Sequence, residues 1–218
     1  MDLFPLYNSL RISLISSVLT LFFGVFFAWW VTKLPSWWKS ILDAFFTVPM
    51  VLPPTVVGFL LLVMISPKSV LGQLVHKFFE SNLTMTWYAS ILAVVVVSFP
   101  ILYRTVRSSF EHLDQNIIYA AQTLGIKNST IFYKIILPQC KSGIVAGFIL
   151  SFARGLGEYG ATSMVSGYIP QKTATISTTV AFYWQTGQEK EAVFWVIFNL
   201  CISFIVMCLV NYFEKRQK

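Results

Sequence analysis

The feature that most constrains this chain is the run from Ile12 to Thr32, which contains no charged residue. A helix needs about 20 mainly apolar residues to cross the hydrocarbon core of a bilayer. Within that core every backbone N–H and C=O group must be bonded inside the protein, and a helix achieves this by itself. The run therefore predicts a transmembrane helix over residues 12–32.

Four further apolar runs have the length of a membrane span, at residues 44–67, 81–103, 142–168 and 192–213. The chain of 218 residues is 56% hydrophobic and 11% charged, whereas soluble domains are roughly 25% charged. These values predict an all-α integral membrane protein. Residues 1–218 are expected to form one transmembrane domain with five spanning helices.

Lys and Arg residues in the loops predict the orientation, because cytoplasmic loops carry an excess of positive charge. If the N-terminus lies outside, the cytoplasmic side holds Lys33, Lys39, Arg104, Arg107, Lys127, Lys134, Lys141, Lys215, Arg216 and Lys218. The outside then holds Arg11, Lys68, Lys77, Lys172 and Lys190, and Arg154 remains in the membrane. This distribution predicts an N-out, C-in topology. It also explains the net charge of +7 without nucleic acid, for which the sequence has no binding motif.

A polar segment at residues 111–138 interrupts the apolar runs on the predicted cytoplasmic side. Apolar residues recur at helical spacing on both sides of Gly125, and a glycine there marks a turn because it tolerates positive φ. Pro138 is expected to end the second helix. The segment predicts a hairpin of two short amphipathic helices, whose apolar face is covered by headgroups, the bundle or a partner protein. An ordinary amphipathic loop on the membrane surface is the alternative.

Three prolines, Pro49, Pro53 and Pro54, lie inside the second apolar run, which ends at Pro67. Each proline removes a backbone donor, so the helix is expected to bend or break. Broken backbone at membrane depth is tolerated where protein or a water-filled cavity covers it. The prolines therefore indicate either a helix that lines a pathway or a packing kink.

The fourth apolar run contains two charged residues, Arg154 and Glu158. A charge at the bilayer centre costs roughly 2.5–3.5 kcal/mol on insertion scales. Their four-residue spacing places both on one helix face and predicts an ion pair. The pair is either structural, with Arg154 snorkelling toward the inner surface, or it lies near a transport route. Gly155, Gly157 and Gly160 in the same run allow close helix packing.

The hairpin carries the motif Ala120-Ala121-x-x-x-Gly125, followed by Ile135-x-Leu137-Pro138. This motif resembles the coupling motif of ABC transporter permeases, in which a helical pair docks into a cleft of the cytosolic ATPase subunit. Tyr119 stands where that family usually has an acidic residue. The resemblance implies that the residues in contact with the ATPase are Ala120, Ala121, Gly125, Ile135, Leu137 and Pro138.

Three other motifs are Pro53-Pro54-Thr55-x-x-Gly58, the stretch from Ala153 to Ala161, and Ile169-Pro170 with Thr173-x-Thr175-Ile176. Together they resemble the permease subunit of molybdate ABC importers, to which tungstate and sulfate permeases are related. The resemblance extends over nearly the whole chain. It implies a translocation pathway that includes Pro53, Pro54, Thr55, Arg154, Gly157, Glu158, Thr162, Ser163 and Ser166, of which the last three are candidates by position only.

The resemblance implies a homodimer of permease subunits that imports molybdate across the bacterial cytoplasmic membrane. Its expected partners are a cytoplasmic ABC ATPase, which binds the ATP and Mg²⁺, and an extracytoplasmic oxyanion-binding protein received in part by residues 170–191. No cofactor is expected in this chain. Tungstate or sulfate/thiosulfate is the alternative substrate, because these oxyanions share the charge and shape of molybdate. A passive anion channel is the alternative from a different class.

An enzyme is the weakest interpretation of the sequence. The two histidines, His76 and His112, lie in loops on opposite sides of the membrane in the predicted topology. The chain has no Walker A lysine motif and no zinc-protease motif, so it is not expected to hydrolyse ATP or to carry a metal. The glycines around Glu158 match a dinucleotide-binding spacing, but no strand is predicted before them.

Overall fold

The structure of the chain is a computed structural model, which describes residues 2–79 and 82–215. The predicted all-α fold is confirmed, since these two ranges contain helices and turns but no strand. The α-helices are α1 (Phe4–Thr32), α2 (Ser36–Val51), α3 (Pro54–Ile65), α4 (Val70–Phe79), α5 (Trp87–Glu111), α6 (Gln115–Thr123), α7 (Asn128–Ile131), α8 (Leu137–Gln139), α9 (Lys141–Leu156), α10 (Gly160–Val165), α11 (Ile176–Gln185) and α12 (Glu189–Lys215).

Three helices, α1, α5 and α12, are long and apolar enough to cross a membrane by themselves. Two bent pairs also reach that length: α2 with α3, and the stretch Asn128–Gln139 with α9. The described residues thus contain between three and five candidate spans. The count of five and the N-out, C-in orientation remain predictions.

The core is built by α1, α5 and α9, which pack against one another over most of their lengths. The face of α1 that enters this core is lined by small polar residues, including Ser13, Ser16 and Thr20. Ser16 Oγ donates to the carbonyl of Ile91 at 3.2 Å, and the hydroxyls of Thr20 and Ser98 lie 3.3 Å apart. Small residues let helix backbones approach closely in lipid, where apolar burial alone does not drive helices together.

The second predicted span, residues 44–67, consists of two helices that meet at an angle of 109°. Leu52 is extended, as is usual for a residue before proline, and this conformation ends α2. Pro54 then starts α3 at a position where its missing N–H costs no hydrogen bond. Pro49 lies inside α2 without ending it, so the pair Pro53-Pro54 sets the position of the bend.

The fourth predicted span, residues 142–168, is not one continuous helix. α9 ends at Leu156, the chain leaves the helix over residues 157–159, and α10 begins at Gly160. The glycines that indicated close packing also weaken the helix here, because glycine has the lowest helix propensity after proline. A single helix over this range was therefore the wrong prediction, and the break lies at Gly157–Tyr159.

The stretch before α9 also differs from the prediction, because Pro138 does not end its helix. α7 continues through a π-helical turn, Phe132–Ile136, into α8, which runs past Pro138 to Gln139. The wider π-turn accommodates a residue that has no N–H to bond. The helix axis turns by 69° at the next residue, Cys140, where α9 begins.

Two helices occupy regions predicted to lie outside the membrane. The segment around Lys68 and Lys77 contains the amphipathic helix α4, whose Leu71 and Leu74 are exposed. The segment 170–191 contains the short helix α11. Thr175 caps α11 in a reciprocal hydrogen-bonded box with Thr178.

Candidate functional site

The two interrupted spans meet at their breaks, because α3 packs against α10. A Cβ atom placed on Gly58 would lie 2.7 Å from the Cα of Ala161, and one placed on Gly160 would lie 2.9 Å from the Cβ of Pro54. Both positions thus have room for hydrogen alone. The proline motif of the second span and the glycine-rich motif of the fourth span form one contact, which we call the break site: residues 53–58 and 154–161.

Glu158 is the buried charge of the break site, with only 3% of its surface exposed. Its Oε2 lies 2.7 Å from Arg154 Nη1, so the predicted ion pair is present. Its Oε1 accepts a hydrogen bond of 2.7 Å from the N–H of Ala161, in the first turn of α10. The two residues do not share a helix, because Glu158 follows the end of α9. The carboxylate therefore bridges the break by holding α9 to α10.

Three hydroxyl residues predicted to line the pathway lie on or beside α10. Thr162 Oγ1 donates to the carbonyl of Tyr159 at 3.0 Å, and Ser163 Oγ donates to the carbonyl of Gly160 at 3.0 Å. Ser166 Oγ donates to the carbonyl of Thr162 at 2.7 Å and lies 2.6 Å from Ser90 Oγ. In this conformation all three hydroxyls are hydrogen-bonded to other groups of the protein.

The remaining residues of the predicted pathway differ in their accessibility. Pro53 and Thr55 are exposed at the start of α3, and Pro54 is half-buried against Gly160. Gly157 is exposed, and a Cβ there would meet only the carbonyl oxygen of Ala153 at 4.0 Å. The break site thus brings these residues together with Arg154 and Glu158. Their role in translocation remains a prediction.

A cavity of about 520 Å³ lies in the angle between α2 and α3, but its chemistry does not suit an oxyanion. Its lining is apolar and comes from α1, α2, α3 and α5, with Phe27, Phe46, Pro49, Val57 and Phe99 among the residues. A hydrated anion would lose its hydrogen bonds there without replacement. In the part of the chain that the structure describes, no three His, Cys, Asp or Glu side chains are grouped to hold a metal ion.

The hairpin is formed by α6 and the continuous stretch of α7 and α8. Asp114 caps α6 by accepting a hydrogen bond from the N–H of Asn116 at 2.9 Å. The chain then reverses at Gly125, whose φ of +72° is the left-handed conformation predicted for the turn. The N–H of Ile126 donates to the carbonyl of Ala121, which closes the end of α6.

The apolar residues of the hairpin are divided between buried and exposed positions. Ala121, Ile131 and Ile136 are buried in a cluster with Leu102 and Val106 of α5. The exposed large apolar side chains are Ile117, Tyr119, Leu124, Ile126 and Tyr133, with Leu124 as much as 78% exposed. So many exposed apolar side chains on one short polar segment are the type of surface that a partner protein or lipid covers.

The six predicted coupling residues follow the same division. Ala120, Gly125 and Pro138 are exposed, Ile135 and Leu137 are half-buried, and Ala121 is part of the buried cluster. Cys140 closes the base of the hairpin, and burial raises the pKa of its thiol to about 11. At neutral pH this thiol is therefore a protonated, weakly reactive group.

A cluster of charges beside the hairpin was not predicted from the sequence. Lys39 and Asp43 on α2 face Arg107 and Glu111 on α5, and the four residues form ion pairs between the helices. The sequence did contain a feature that could have indicated this cluster, because each helix carries two opposite charges four residues apart. Lys39 and Arg107 were counted only for the orientation of the chain.

Comparison with known proteins agrees with the fold and with the resemblance to a transporter family. Residues 20–218 match the family described as binding-protein-dependent transport system inner membrane component, and the chain belongs to this family. It is a multi-pass membrane protein, and the predicted resemblance to ABC transporter permeases is confirmed.

Two curated relatives and one solved structure illustrate the similarity. The molybdenum transport system permease protein ModB of Escherichia coli strain K12 is 36% identical over 93% of this chain and 87% of its own length. The sulfate transport system permease protein CysT of the same strain is 31% identical over 93% of this chain and 73% of its own length. The inward-facing MetNI methionine ABC transporter shares the fold, with a TM-score of 0.76, 13% identity, and coverage of 98% of this chain and 94% of that chain.

Proposed function

We propose that this chain is the permease subunit of an ATP-driven importer that moves molybdate across the bacterial cytoplasmic membrane. The observation that carries the proposal is the similarity to ModB, which extends over nearly the full length of both chains. It includes both interrupted spans and the hairpin between them. ATP and Mg²⁺ belong to a separate ATPase subunit, and this chain performs the translocation.

The hairpin supplies the contact with that ATPase. Its exposed apolar side chains, among them Tyr119, Leu124 and Tyr133, have most of their surface uncovered by their own chain. Burying such side chains in a cleft of a partner releases water and stabilises the complex. The inner face, with Ala121 and Ile136, fixes the hairpin to the end of α5, so that a movement of the ATPase reaches the membrane helices.

Two copies of the chain would form the route on a two-fold axis, with a break site on each side. Arg154 can stay at membrane depth without trapping a doubly charged anion, because Glu158 already compensates its charge. An anion can cross only if its contacts with the protein are weak enough for it to be released again. The hydroxyls of Thr162, Ser163 and Ser166 become available to the anion when α10 moves and their present bonds to the backbone open.

The outer side receives an oxyanion-binding protein in the N-out, C-in orientation. Residues 170–191, which include α11, lie at the end of α1 that starts the chain, since Asn8 Nδ2 donates to the carbonyl of Ala174 at 2.9 Å. This end is opposite to the hairpin in the proposed topology. The binding protein and the ATPase thus act on opposite faces of the membrane.

Sulfate or thiosulfate is the second candidate substrate, and the similarity to CysT favours it. Tungstate is chemically the nearest substitute for molybdate. All of these are tetrahedral dianions, which the break site has no evident means to separate. We therefore assign the selection of the substrate mainly to the binding protein.

The test is oxyanion-stimulated ATP hydrolysis by the chain reconstituted in lipid with its ATPase. Binding protein loaded with molybdate, tungstate or sulfate would be added separately. We expect the largest stimulation with molybdate. If sulfate gives the strongest stimulation, sulfate is the substrate. If the ATPase does not co-purify with the chain, a passive anion channel is favoured.

A matched pair of glycine substitutions tests the hairpin in the same assay. Gly125 and Gly187 have φ values of +72° and +74°, and neither has an atom within 4 Å of an added Cβ. Substitution by Asp therefore imposes the same local strain, roughly 1–2 kcal/mol, at both positions. Gly125→Asp is expected to abolish both the co-purification of the ATPase and the stimulation, while Gly187→Asp, in the segment on the opposite side of the membrane, leaves co-purification unchanged. Equal co-purification and equal stimulation in the two variants would contradict the coupling role.

A further inference from the structure

We propose that four charged residues form an ionic ladder that transmits movement of the hairpin to the bend of the second span. The ladder consists of Lys39 and Asp43 on α2 and Arg107 and Glu111 on α5. This inference rests on the proposed function, since it assigns a part in coupling to residues outside both the hairpin and the break site. The four are positioning residues and do not contact the substrate.

The contacts join the two helices at two successive turns. The ammonium of Lys39 pairs with the carboxylate of Glu111, and the guanidinium of Arg107 pairs with the carboxylate of Asp43. Arg107 Nη2 also lies 3.1 Å from Glu111 Oε1, which links the two rungs along α5. The buried hydroxyl of Tyr103 donates to Asp43 Oδ1 at 2.5 Å and fixes the inner rung to the core.

The ladder lies between the two moving parts of the proposed mechanism. Glu111 is the last residue of α5, and residues 112–114 alone separate it from the first helix of the hairpin. On the opposite side, α2 leads directly into the bend at Leu52, beyond which the first turn of α3 forms one half of the break site. A displacement of α6 therefore reaches α2 through the end of α5.

The surroundings of the ladder leave room for such a displacement. A cavity of about 370 Å³ is lined by residues that include Lys39, Glu111, Trp29 of α1, and Gln115 and Ile118 of α6. Because this space lies between α6 and α2, it gives the hairpin room to shift toward α2. The ion pairs, by contrast, connect α5 and α2 directly across the edge of the cavity.

The ladder side chains are 16–38% exposed, which suits an element that moves. Fully buried ion pairs are costly to separate, because each charge would lose its partner in a low dielectric. Partly hydrated pairs keep solvent as an alternative partner, and each contributes little net free energy. They can therefore break and re-form during a transport cycle while still fixing which turn of α2 faces which turn of α5.

The experiment reverses the charges of one helix at a time. Lys39→Glu/Asp43→Lys places like charges opposite each other on both rungs, and so does Arg107→Glu/Glu111→Lys. Each double variant keeps the net charge of the chain and the opposite-charge pair within its own helix. The quadruple variant restores both rungs with inverted polarity. The readouts are co-purification with the ATPase, basal ATP hydrolysis, and the stimulation by binding protein loaded with molybdate.

We expect both double variants to assemble and to hydrolyse ATP at the basal rate. Their stimulation should fall about tenfold, the factor that corresponds to roughly 1.4 kcal/mol. The quadruple variant should recover most of the loss. A purely structural role predicts instead that assembly and basal activity fall together with stimulation.

Two results would overturn the ladder while leaving the proposed function intact: full stimulation in both double variants, or an assembled quadruple variant that stays uncoupled. If the double variants do not assemble, Asp43→Asn and Glu111→Gln remove one charge each at nearly constant size, and unchanged stimulation in both would equally refute the ladder. A wild-type complex without any stimulation would refute the proposed function itself, and the ladder's role with it.

Discussion

The helices α5 and α12 are both apolar enough to cross a membrane, yet they relate to the rest of the chain in opposite ways. In the most apolar window of α5, 61% of the residues are buried inside the protein, whereas in that of α12 only 11% are buried. The buried side of α5 carries Ala89, Ser90, Ala93 and Ser98. Several large side chains of α12, such as Phe204 and Leu200, are exposed, although Trp195 near its start is buried.

The difference shows that hydropathy and packing are separate properties of a membrane helix. Hydropathy reports the medium, because lipid tails accept any apolar surface. Packing requires close approach and specific contacts, since lipid offers no apolar driving force for one helix to bind another. Small residues and hydroxyls therefore mark the helices that enter the core, and bulky side chains all around mark a helix that faces lipid or another subunit.

The largest contrast is expected from truncating one leucine on each helix. Leu102 of α5 is completely buried, while Leu200 of α12 is exposed. Leu102→Ala should lower the free energy of unfolding by about 2–5 kcal/mol, because it opens a cavity in the core. Leu200→Ala should leave it nearly unchanged. Equilibrium unfolding of the solubilised chain in mixed micelles measures both, and similar losses would remove the distinction between the two helices.

A second contrast concerns glycines at the break site. Gly58→Ala pushes a Cβ against the backbone of Ala161, whereas Gly157→Ala meets no atom closer than 4.0 Å. We expect a loss of about 1–3 kcal/mol for Gly58→Ala, as is typical of overpacking. Gly157→Ala should change the stability by less than roughly 0.5 kcal/mol. The melting temperatures of the two variants in detergent test this, and a destabilised Gly157→Ala chain would contradict the geometry of the break.

The smallest contrast is expected from one hydroxyl on each helix. Ser98 of α5 faces the hydroxyl of Thr20 on α1, while Ser203 of α12 is exposed. Interhelical hydrogen bonds in membranes contribute about 0.6 kcal/mol on average. Ser98→Ala should lose about this amount and Ser203→Ala should lose none. A double-mutant cycle with Thr20→Val checks that the loss at Ser98 comes from this one contact.

Features that depend on local chemistry were predictable from the sequence. The turn at Gly125 follows from the freedom of glycine to adopt positive φ, and the bend at Pro53-Pro54 follows from two adjacent missing donors. The ion pair of Arg154 and Glu158 was predicted from their spacing, although the helix that they were expected to share ends at Leu156. In each case the residues that determine the structure are neighbours in the sequence.

Features that depend on distant neighbours, or on competing local effects, were not predictable. The contact of Gly58 with Ala161 and the ladder across α2 and α5 require the helix packing that places these residues together. The prediction of a continuous helix past Leu156 failed for another reason. Glycines allow close helix packing, but they also lower the stability of the helix. Only the packed structure shows that both effects operate there.

The contacts of α1 also carry information about the order in which the protein is made. Asn8 donates to the carbonyl of Ala174, and Ser9 accepts from the N–H of Ile176, across 166 and 167 positions of the chain. At a synthesis rate of about 5–20 residues per second, these partners leave the ribosome roughly 8–35 s after α1. Until then, water or lipid headgroups must hydrogen-bond these groups of Asn8 and Ser9. A segment made long after α1 thus completes the contacts of its first turns, and a nascent chain released before Ile176 would contain an inserted α1 that lacks them.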